Sequence, residues 1–367
     1  MKIGIDTLGC DHSKSGNGSY LLNFIKNLSV NDDIQFELFG LESDRYTYKS
    51  EIEIPYVSVD VSDSEKAQFK WHKRKINSFV KKQGYEVVLF PAADKVLPSK
   101  CKNYLGIPVV NSLIFKKDEN NKNSALHYIK KGLNNSEKII AASELIKSDL
   151  VKNGINRNKI KVIYNGIDHK LFFPTIDDGS EFVEVKPFAI RKPYFIYGSR
   201  ISGPDKKHLE LMKAFEKFKK ETGEPHRLVI SGYEDDYAKI IHEAAFESEY
   251  SSDIFLTGYF PHENFAKMYE GAAACIFPAI NEGVGLPILE AMASGIPILC
   301  SDSSSLKEAG GDTPIYFNSD NINEIADCMK KIVSDKELVQ KMIEKGIKRS
   351  QEFSWDKTIK ETIDYIK

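Results

Sequence analysis

Short apolar runs rich in β-branched residues alternate along the chain with longer stretches whose apolar positions recur at helical spacing. In the first half the strand-like runs are 34–39, 87–90, 109–110, 138–141 and 162–163; in the second they are 194–197, 228–231, 254–256, 274–277 and 296–299. Continuously apolar strands separated by helices predict parallel sheets covered by helices on both faces. Between the halves, 173–193 carries Pro174, Asp177-Asp178-Gly179, Pro187 and Pro193 with little sustained apolar period, and reads as an interdomain linker. The expectation is α/β: two Rossmann-like, doubly wound domains, 1–172 and 173–353, facing a central cleft at the carboxyl ends of their strands.

A length of 367 residues agrees with two cores rather than one. Lys and Arg number 51 against 53 Asp and Glu, a formal charge of −2, which argues against a strongly basic nucleic-acid coat. The sum hides a split: residues 1–175 hold 27 basic and 20 acidic side chains, the remainder 24 and 33. A basic first half is a candidate for anionic surfaces; drift of solvated charge explains the split equally well. Cys10, Cys101, Cys275, Cys300 and Cys328 are odd in number, widely spaced and contain no Cys-x-x-Cys, so a reducing cytosol is expected. Met1-Lys2-Ile3-Gly4-Ile5-Asp6 is strand-like, and no apolar run approaches the ~20 residues of a membrane span. A soluble or peripheral protein follows as the expectation.

Several familiar motifs fail. Gly16-Asn17-Gly18-Ser19-Tyr20-Leu21 begins like a dinucleotide fingerprint, but Leu21 stands at its third glycine. The phosphate loop of ATPases is missing, and His242-Glu243 and His262-Glu263 lack the second histidine of a zinc protease. No Asp-x-Asp occurs, and the adjacent pairs Asp32-Asp33, Asp177-Asp178 and Asp235-Asp236 are poorly placed to chelate one ion. No metal site is expected.

Residues 275–312 are the most informative. An apolar strand ends at Phe277-Pro278, a glycine-bearing loop follows, and a helix is expected from near Pro287 to a Ser294-Gly295 cap. Gly283 and Gly285 then lie at a helix N-terminus, where N–H groups and the helix dipole attract phosphate. Glu282 precedes the helix and Glu290 is expected on its first turn, so the two could hold different parts of one extended polyol. The plain alternative is a turn, with Glu290 complementing the dipole.

A second cluster, Tyr197-Gly198-Ser199-Arg200 followed by Gly203-Pro204-Asp205-Lys206-Lys207-His208, leads into a helical pattern through Leu211, Met212, Ala214, Phe215 and Phe218. A cation at a helix start is unfavourable unless an anion is near, so Arg200 and Lys206 read as a phosphate clamp.

With these motifs in view, the chain resembles the retaining GT-B glycosyltransferases of the glycosyl-group-1 family, family 4. Its Glu-x7-Glu signature is matched by Glu282-Gly283-Val284-Gly285-Leu286-Pro287 through Glu290; Asn165-Gly166-Ile167-Asp168, Thr257-Gly258-Tyr259 and Phe353-Ser354-Trp355 add to the likeness. The resemblance implies a nucleotide-diphosphate sugar as donor substrate and no cofactor. Arg200 and Lys206 would neutralise the diphosphate and Glu290 would bind the ribose. Glu282 with the amides of Gly283, Val284, Gly285 and Leu286 would hold sugar and phosphates, and Tyr259 within 257–260 would border the base. It also implies a terminal helix, about 354–367, packing back on the first domain.

Two departures stand out. Where many relatives carry His-Asp, this chain has Asn111-Ser112, with Asn111 and Ser112 the candidate substitutes; His12, His72 and His127 read as surface histidines. Arg200 and Lys206 are also one residue further apart than usual, which leaves Lys207 as an alternative. Gly18 resembles the family's glycine loop near the donor phosphates, or belongs to a plain helix N-cap turn.

Residues 66–82 read as one helix with Phe69, Ile76, Phe79 and Val80 on one face and Trp71 opposite, among Lys70, Arg74, Lys75, Lys81 and Lys82. An exposed tryptophan in a basic face suits an anionic membrane; the same residues also fit a solvated face with Trp71 packed on a neighbour. The expected function is metal-independent, retaining glycosyl transfer to a saccharide or lipid-linked acceptor at the cytoplasmic membrane face. A catalytically silent nucleotide-sugar-binding subunit is the alternative.

Overall fold

The computed structural model describes residues 1–29, 33–48, 50, 52–115, 124–176 and 178–367. Asp32 and Asp177, noted above in adjacent acidic pairs, lie outside the described residues. The chain divides into two compact units, Met1–Gly166 with Ser354–Lys367, and Ile167–Phe353.

In the first unit, β1 (Lys2–Asp6), α1 (Gly16–Lys26), β2 (Gln35–Gly40) and β3 (Tyr56–Ser58) are followed by α2 (Glu65–Arg74) and α3 (Ile76–Gln83). Then come β4 (Val87–Phe90), β5 (Leu105–Val110), α4 (Ser124–Asn135), β6 (Ile139–Ala141), α5 (Glu144–Lys152) and β7 (Ile160–Val162). Among the described residues the strands form one parallel sheet in the order β3-β2-β1-β4-β5-β6-β7, with Ile5 beside Leu38 on one side and Leu89 on the other. Val87–Phe90 is buried throughout, as a strand covered on both faces requires.

The second unit opens on an antiparallel hairpin, β8 (Phe182–Val185) and β9 (Phe188–Arg191), inside the segment expected to be a bare linker. Its alternation is short: Val183, Val185 and Ile190 turn inward while Phe182 and Phe188 stay exposed. The unit continues with β10 (Tyr194–Gly198), α6 (His208–Thr222), β11 (Arg227–Ser231), α7 (Ala238–Glu247), β12 (Ile254–Leu256), α8 (Asn264–Glu270) and β13 (Ala272–Phe277). It ends with α9 (Leu286–Ala293), β14 (Ile298–Ser301), α10 (Ser304–Gly310), β15 (Ile315–Phe317), α11 (Ile322–Ser334) and α12 (Lys336–Ser350). The sheet order is β12-β11-β10-β13-β14-β15, again parallel. The last helix, α13 (Trp355–Ile366), is capped by Ser354 and belongs to the first unit, where Trp355 packs 5.7 Å from Tyr20 between ring centroids and Thr358 donates to the carbonyl of Tyr164.

The amphipathic reading of 66–82 is corrected in two ways. The segment is two helices meeting at Lys75, and Trp71 is only 6% exposed, packed against Phe39 and edge-on to Phe79, so the packed alternative holds for Trp71 in place of the exposed, membrane-facing one. The buried face centres on Gln68 and His72, polar residues a hydropathy pattern assigns to solvent. His72, read above as a surface histidine, bonds through Nε2 to Asp6 Oδ2 at 2.5 Å and through Nδ1 to the Gln68 carbonyl, while Gln68 Oε1 accepts from Gly9 N. Satisfied polar groups can be buried, which widens the inward arc until it includes Trp71. Lys66, Lys70, Lys73, Arg74, Lys75, Lys81 and Lys82 remain exposed. Among the described residues no helix is long and apolar enough to cross a membrane, and all five cysteines are free thiols.

Trp71→Ala is therefore expected to lower unfolding stability by about 3–5 kcal/mol, the cost of a large buried aromatic. Chemical denaturation of the variant and the parent chain checks it; a change near zero would return Trp71 to the surface.

Candidate functional site

In the second sheet β10 and β13 are neighbours, yet the chain leaves β10 toward β11 on one side and β13 toward β14 on the other. The crossovers from these two strands therefore run to opposite sides and leave their carboxyl ends open, the edge at which open parallel sheets usually bind ligands. Arg200 lies just after β10, and the Glu282–Leu286 loop follows β13.

The β13 loop is fixed by a ring of hydroxyls. Ser319 Oγ donates to the Pro278 carbonyl at 2.6 Å, Ser301 Oγ to Ala279 at 2.6 Å and Ser305 Oγ to Glu282 at 2.5 Å. Gly285 takes φ +79° as the residue before α9, in contact range of Leu306 and Ala309 on α10; a side chain there would meet both backbone strain and those neighbours. Gly283, Val284 and Leu286 complete the approach to the α9 N-terminus. Ile280 N donates to the Asp205 carbonyl, tying this loop to the one after β10.

Lys206 ends a short 3-10 turn, Pro204–Lys206, and left-handed Lys207 separates it from α6. The expectation that Lys206 opens the long helix is thus corrected, and the anion its charge calls for is on the chain itself: Lys206 Nζ donates to Glu282 Oε1. Lys207, the alternative clamp residue, is held by Asp320 at 2.6 Å and Glu210 at 3.0 Å, and the Asp320 bond first raises its pKa. Arg200 is exposed, its guanidinium 5.0 Å from the Tyr233 ring centroid, with no carboxylate partner among the described residues. Behind the clamp, His208 is buried against Tyr197; desolvation, aided by the Lys206 charge, holds its pKa down at about 4, so it stays neutral.

Glu290 sits in the second turn of α9 rather than its first, 7% exposed. Its Oε1 is bonded to His262 Nε2 at 2.8 Å, and the His262 ring stands edge-on to Phe172 at 5.3 Å. Sequence reasoning missed His262, seen only as half of a failed zinc motif; spacing carried no sign that a loop after β12 reaches α9. Tyr259, 57% exposed in that loop, follows left-handed Gly258.

Two expected site residues belong to the first unit. Gly18 lies in α1, whose cap Ser15 accepts from Gly18 N. A methyl on Gly18 would fall 2.2 Å from the Cys10 carbonyl oxygen, so close packing alone accounts for its glycine. Asn111, just beyond β5, donates to the Pro91 carbonyl at 3.4 Å and accepts from Asn165 at 3.3 Å. His12 bridges Asp44 and Asp63, whose bonds raise its pKa, and His127 is exposed on α4. Among the described residues no group of three or more His, Cys, Asp or Glu side chains is placed to hold a metal ion.

The Glu290 charge raises the pKa of His262, with their hydrogen bond adding to it. A raised folded-state value stabilises below the unfolded histidine pKa of ~6.5, and that contribution is lost as pH rises through the folded value. In Glu290→Gln the His262 midpoint, followed by NMR of the ring carbon protons, should fall below that of the parent chain; an unchanged midpoint would show that Glu290 is not the cause.

The family model "Glycosyl transferases group 1" matches residues 180–349, and "Glycosyltransferase Family 4" matches residues 15–171. O-antigen chain mannosyltransferase B of Escherichia coli is 28% identical over 164 residues, 45% of this chain and 43% of that protein. O-antigen chain mannosyltransferase RfbU of Salmonella typhimurium is 25% identical over 205 residues, 56% and 53% of the two chains. The match thus spans about half the length of these curated relatives. Among solved structures, sucrose-phosphate synthase from Thermosynechococcus elongatus superposes with a TM-score of 0.77 at 17% identity, covering 99% of this chain and 98% of that one. Anabaena HepE in complex with UDP gives 0.73 at 15% identity, with coverage of 99% and 98%. These likenesses establish the two-domain α/β GT-B fold, and with the two family models they show that the chain belongs to the group 1, family 4 glycosyltransferases.

Proposed function

We propose that the chain is a glycosyltransferase that moves a hexosyl group from a nucleotide-diphosphate sugar to a saccharide or lipid-linked sugar acceptor in polysaccharide or glycolipid synthesis. The observation that carries the reading is the set at the carboxyl edge of the second sheet: Arg200, which has no carboxylate partner among the described residues, the Lys206–Glu282 pair and the glycine loop at the start of α9. The O-antigen mannosyltransferases among the relatives support a polysaccharide product, and HepE, bound to UDP in its structure, supports a nucleotide donor.

The chemistry follows from charge. As the bond between the anomeric carbon and the diphosphate oxygen breaks, the sugar gains positive charge and the diphosphate negative charge. Arg200, Lys206 and the α9 N-terminus would stabilise that leaving group, supplying without a metal the charge it needs. Glu282 would hold the sugar, releasing Lys206 to the phosphate as donor binds. Glu290 would take the ribose hydroxyls with Oε2, since Oε1 is bonded to His262. Tyr259 would border the base. Retention follows if the acceptor oxygen attacks the face the leaving group departs from and passes its proton to the departing phosphate oxygen. The exposed lysines of α2 and α3 would bring the protein to an anionic bilayer through charge alone, so vesicle binding should vanish in about 1 M salt, where screening reaches ~3 Å.

Melting curves with UDP, GDP, UDP-glucose, UDP-N-acetylglucosamine and GDP-mannose should show a rise with one nucleotide series, because a ligand of the folded state stabilises it. With that donor, Arg200→Ala and Lys206→Ala should each reduce turnover by about 10²-fold or more, and EDTA should not. Near-normal turnover in both variants would overturn the clamp. Tight donor binding with neither hydrolysis nor transfer would favour a silent binding subunit.

A further inference from the structure

The first sheet has its own reversal of strand order, between β1 and β4, and the loops beyond those strands meet across it. Asp94, in the loop after β4, accepts a hydrogen bond at Oδ1 from Asn17 Nδ2 of α1 at 2.7 Å and at Oδ2 from Ser112 Oγ, beyond β5, at 2.8 Å. Ser112 occupies the second position of the missing His-Asp pair.

Asp94 differs from the other acids at this edge. Asp6 is paired with His72, Asp44 and Asp63 with His12, and Asp11 with Lys95. Asp94 is half-buried and, among the described residues, has no cation within ion-pair distance. Its two partners are neutral donors, one to each oxygen, and an ionised carboxylate has about four acceptor sites in all. Both oxygens are oriented and neither is saturated.

Beside it lies a second unmet acceptor. Asn165, 3% exposed, gives its amide hydrogen to Asn111 while its Oδ1 has no partner among the described residues, and Asn111 adjoins Ser112 in sequence. Buried polar atoms of native proteins are seldom left so, and an enclosed acceptor of this kind is ordinarily met by a bound water. Neutral hydroxyl donors suit this edge, whereas an anion would be repelled by the Asp94 charge.

We propose that Asp94, oriented by Asn17 and Ser112, is the residue with which the first unit binds a hydroxyl of a neutral saccharide acceptor. The proposal rests on the glycosyl-transfer reading. It goes beyond it by naming the acceptor-binding group and by requiring an uncharged sugar there.

The test measures steady-state transfer from the donor identified by melting to a panel of p-nitrophenyl α- and β-hexosides, at saturating donor. Asp94→Asn keeps the size of the side chain and removes its charge. It should raise the KM of the best acceptor about tenfold or more, as loss of a charged hydrogen bond does. The kcat at saturating acceptor should stay within a few-fold, and the donor-induced melting shift should be unchanged. Ser112→Ala, which removes one of the groups orienting Asp94, should raise the same KM by less, and it decides the matter if Asp94→Asn does not fold. An unaltered acceptor KM in the folded variants overturns the proposal, and so does a parent chain that binds donor yet transfers to no hexoside. A parent chain that neither binds nor turns over any nucleotide sugar instead sinks the glycosyl-transfer reading beneath it.

Discussion

Everything of chemical interest in this chain depends on one topological constraint. A parallel sheet whose strand order reverses cannot cover the carboxyl ends of the two strands at the reversal, because the crossovers from those strands run to opposite sides. In the second unit those strands are β10 and β13; in the first they are β1 and β4. Arg200 and Lys206 follow β10, the Glu282 loop follows β13, Asn17 follows β1 and Asp94 follows β4. The apolar strands fix the sheets, the sheets fix the open edge, and the polar residues act there because the edge leaves them room.

At that edge local pairing outweighs bulk charge. The second half of the chain is net acidic, which by itself would repel a diphosphate, and Lys206 is already neutralised by Glu282. An ion pair of this kind keeps both side chains oriented, and under the proposed reading the charge would become available as a phosphate and a sugar hydroxyl replaced one partner each. Arg200, resting on the Tyr233 ring with no carboxylate partner among the described residues, is a cation that an anion would meet without displacing one. Lys207 carries the same formal charge at the next position after Lys206, but two carboxylates hold it elsewhere.

The strands and the loop between Glu282 and Glu290 were legible because continuous apolar runs and glycine placement leave few alternatives. Other features were hidden for identifiable reasons. Trp71 was placed on the wrong face because hydropathy counts Gln68 and His72 as outward, although Asp6 and Gly9 satisfy them inside. The hairpin at Phe182–Arg191 was hidden by its brevity and by Pro187 at its turn. Glu282, Asp320 and His262 are separated from Lys206, Lys207 and Glu290 in sequence by 76, 113 and 28 residues, so no local pattern could have made these three pairings. Asp94 carried no motif at all, and only its bonds to Asn17 and Ser112 set it apart.

The division of charge between the halves changes meaning once the residues are located. The excess of basic residues in the first half made it a candidate for anionic surfaces. The exposed lysines of α2 and α3 account for much of it, whereas the ends of β1 and β4 gather Asp6, Asp11 and Asp94. Burial first, and then the charges of Asp6, Asp94, Asp11 and Asp44, raise the pKa of Cys10 beside them. A basic domain therefore presents an acidic binding edge, just as the acidic domain presents a cationic one. Long-range steering follows the sum of the charges, but what is held at an edge follows the few groups within a Debye length of it, about 8 Å at physiological salt. The basic surface can attract an anionic bilayer or the phosphate of a lipid carrier, while the atoms held at Asp94 are the neutral hydroxyls of a sugar.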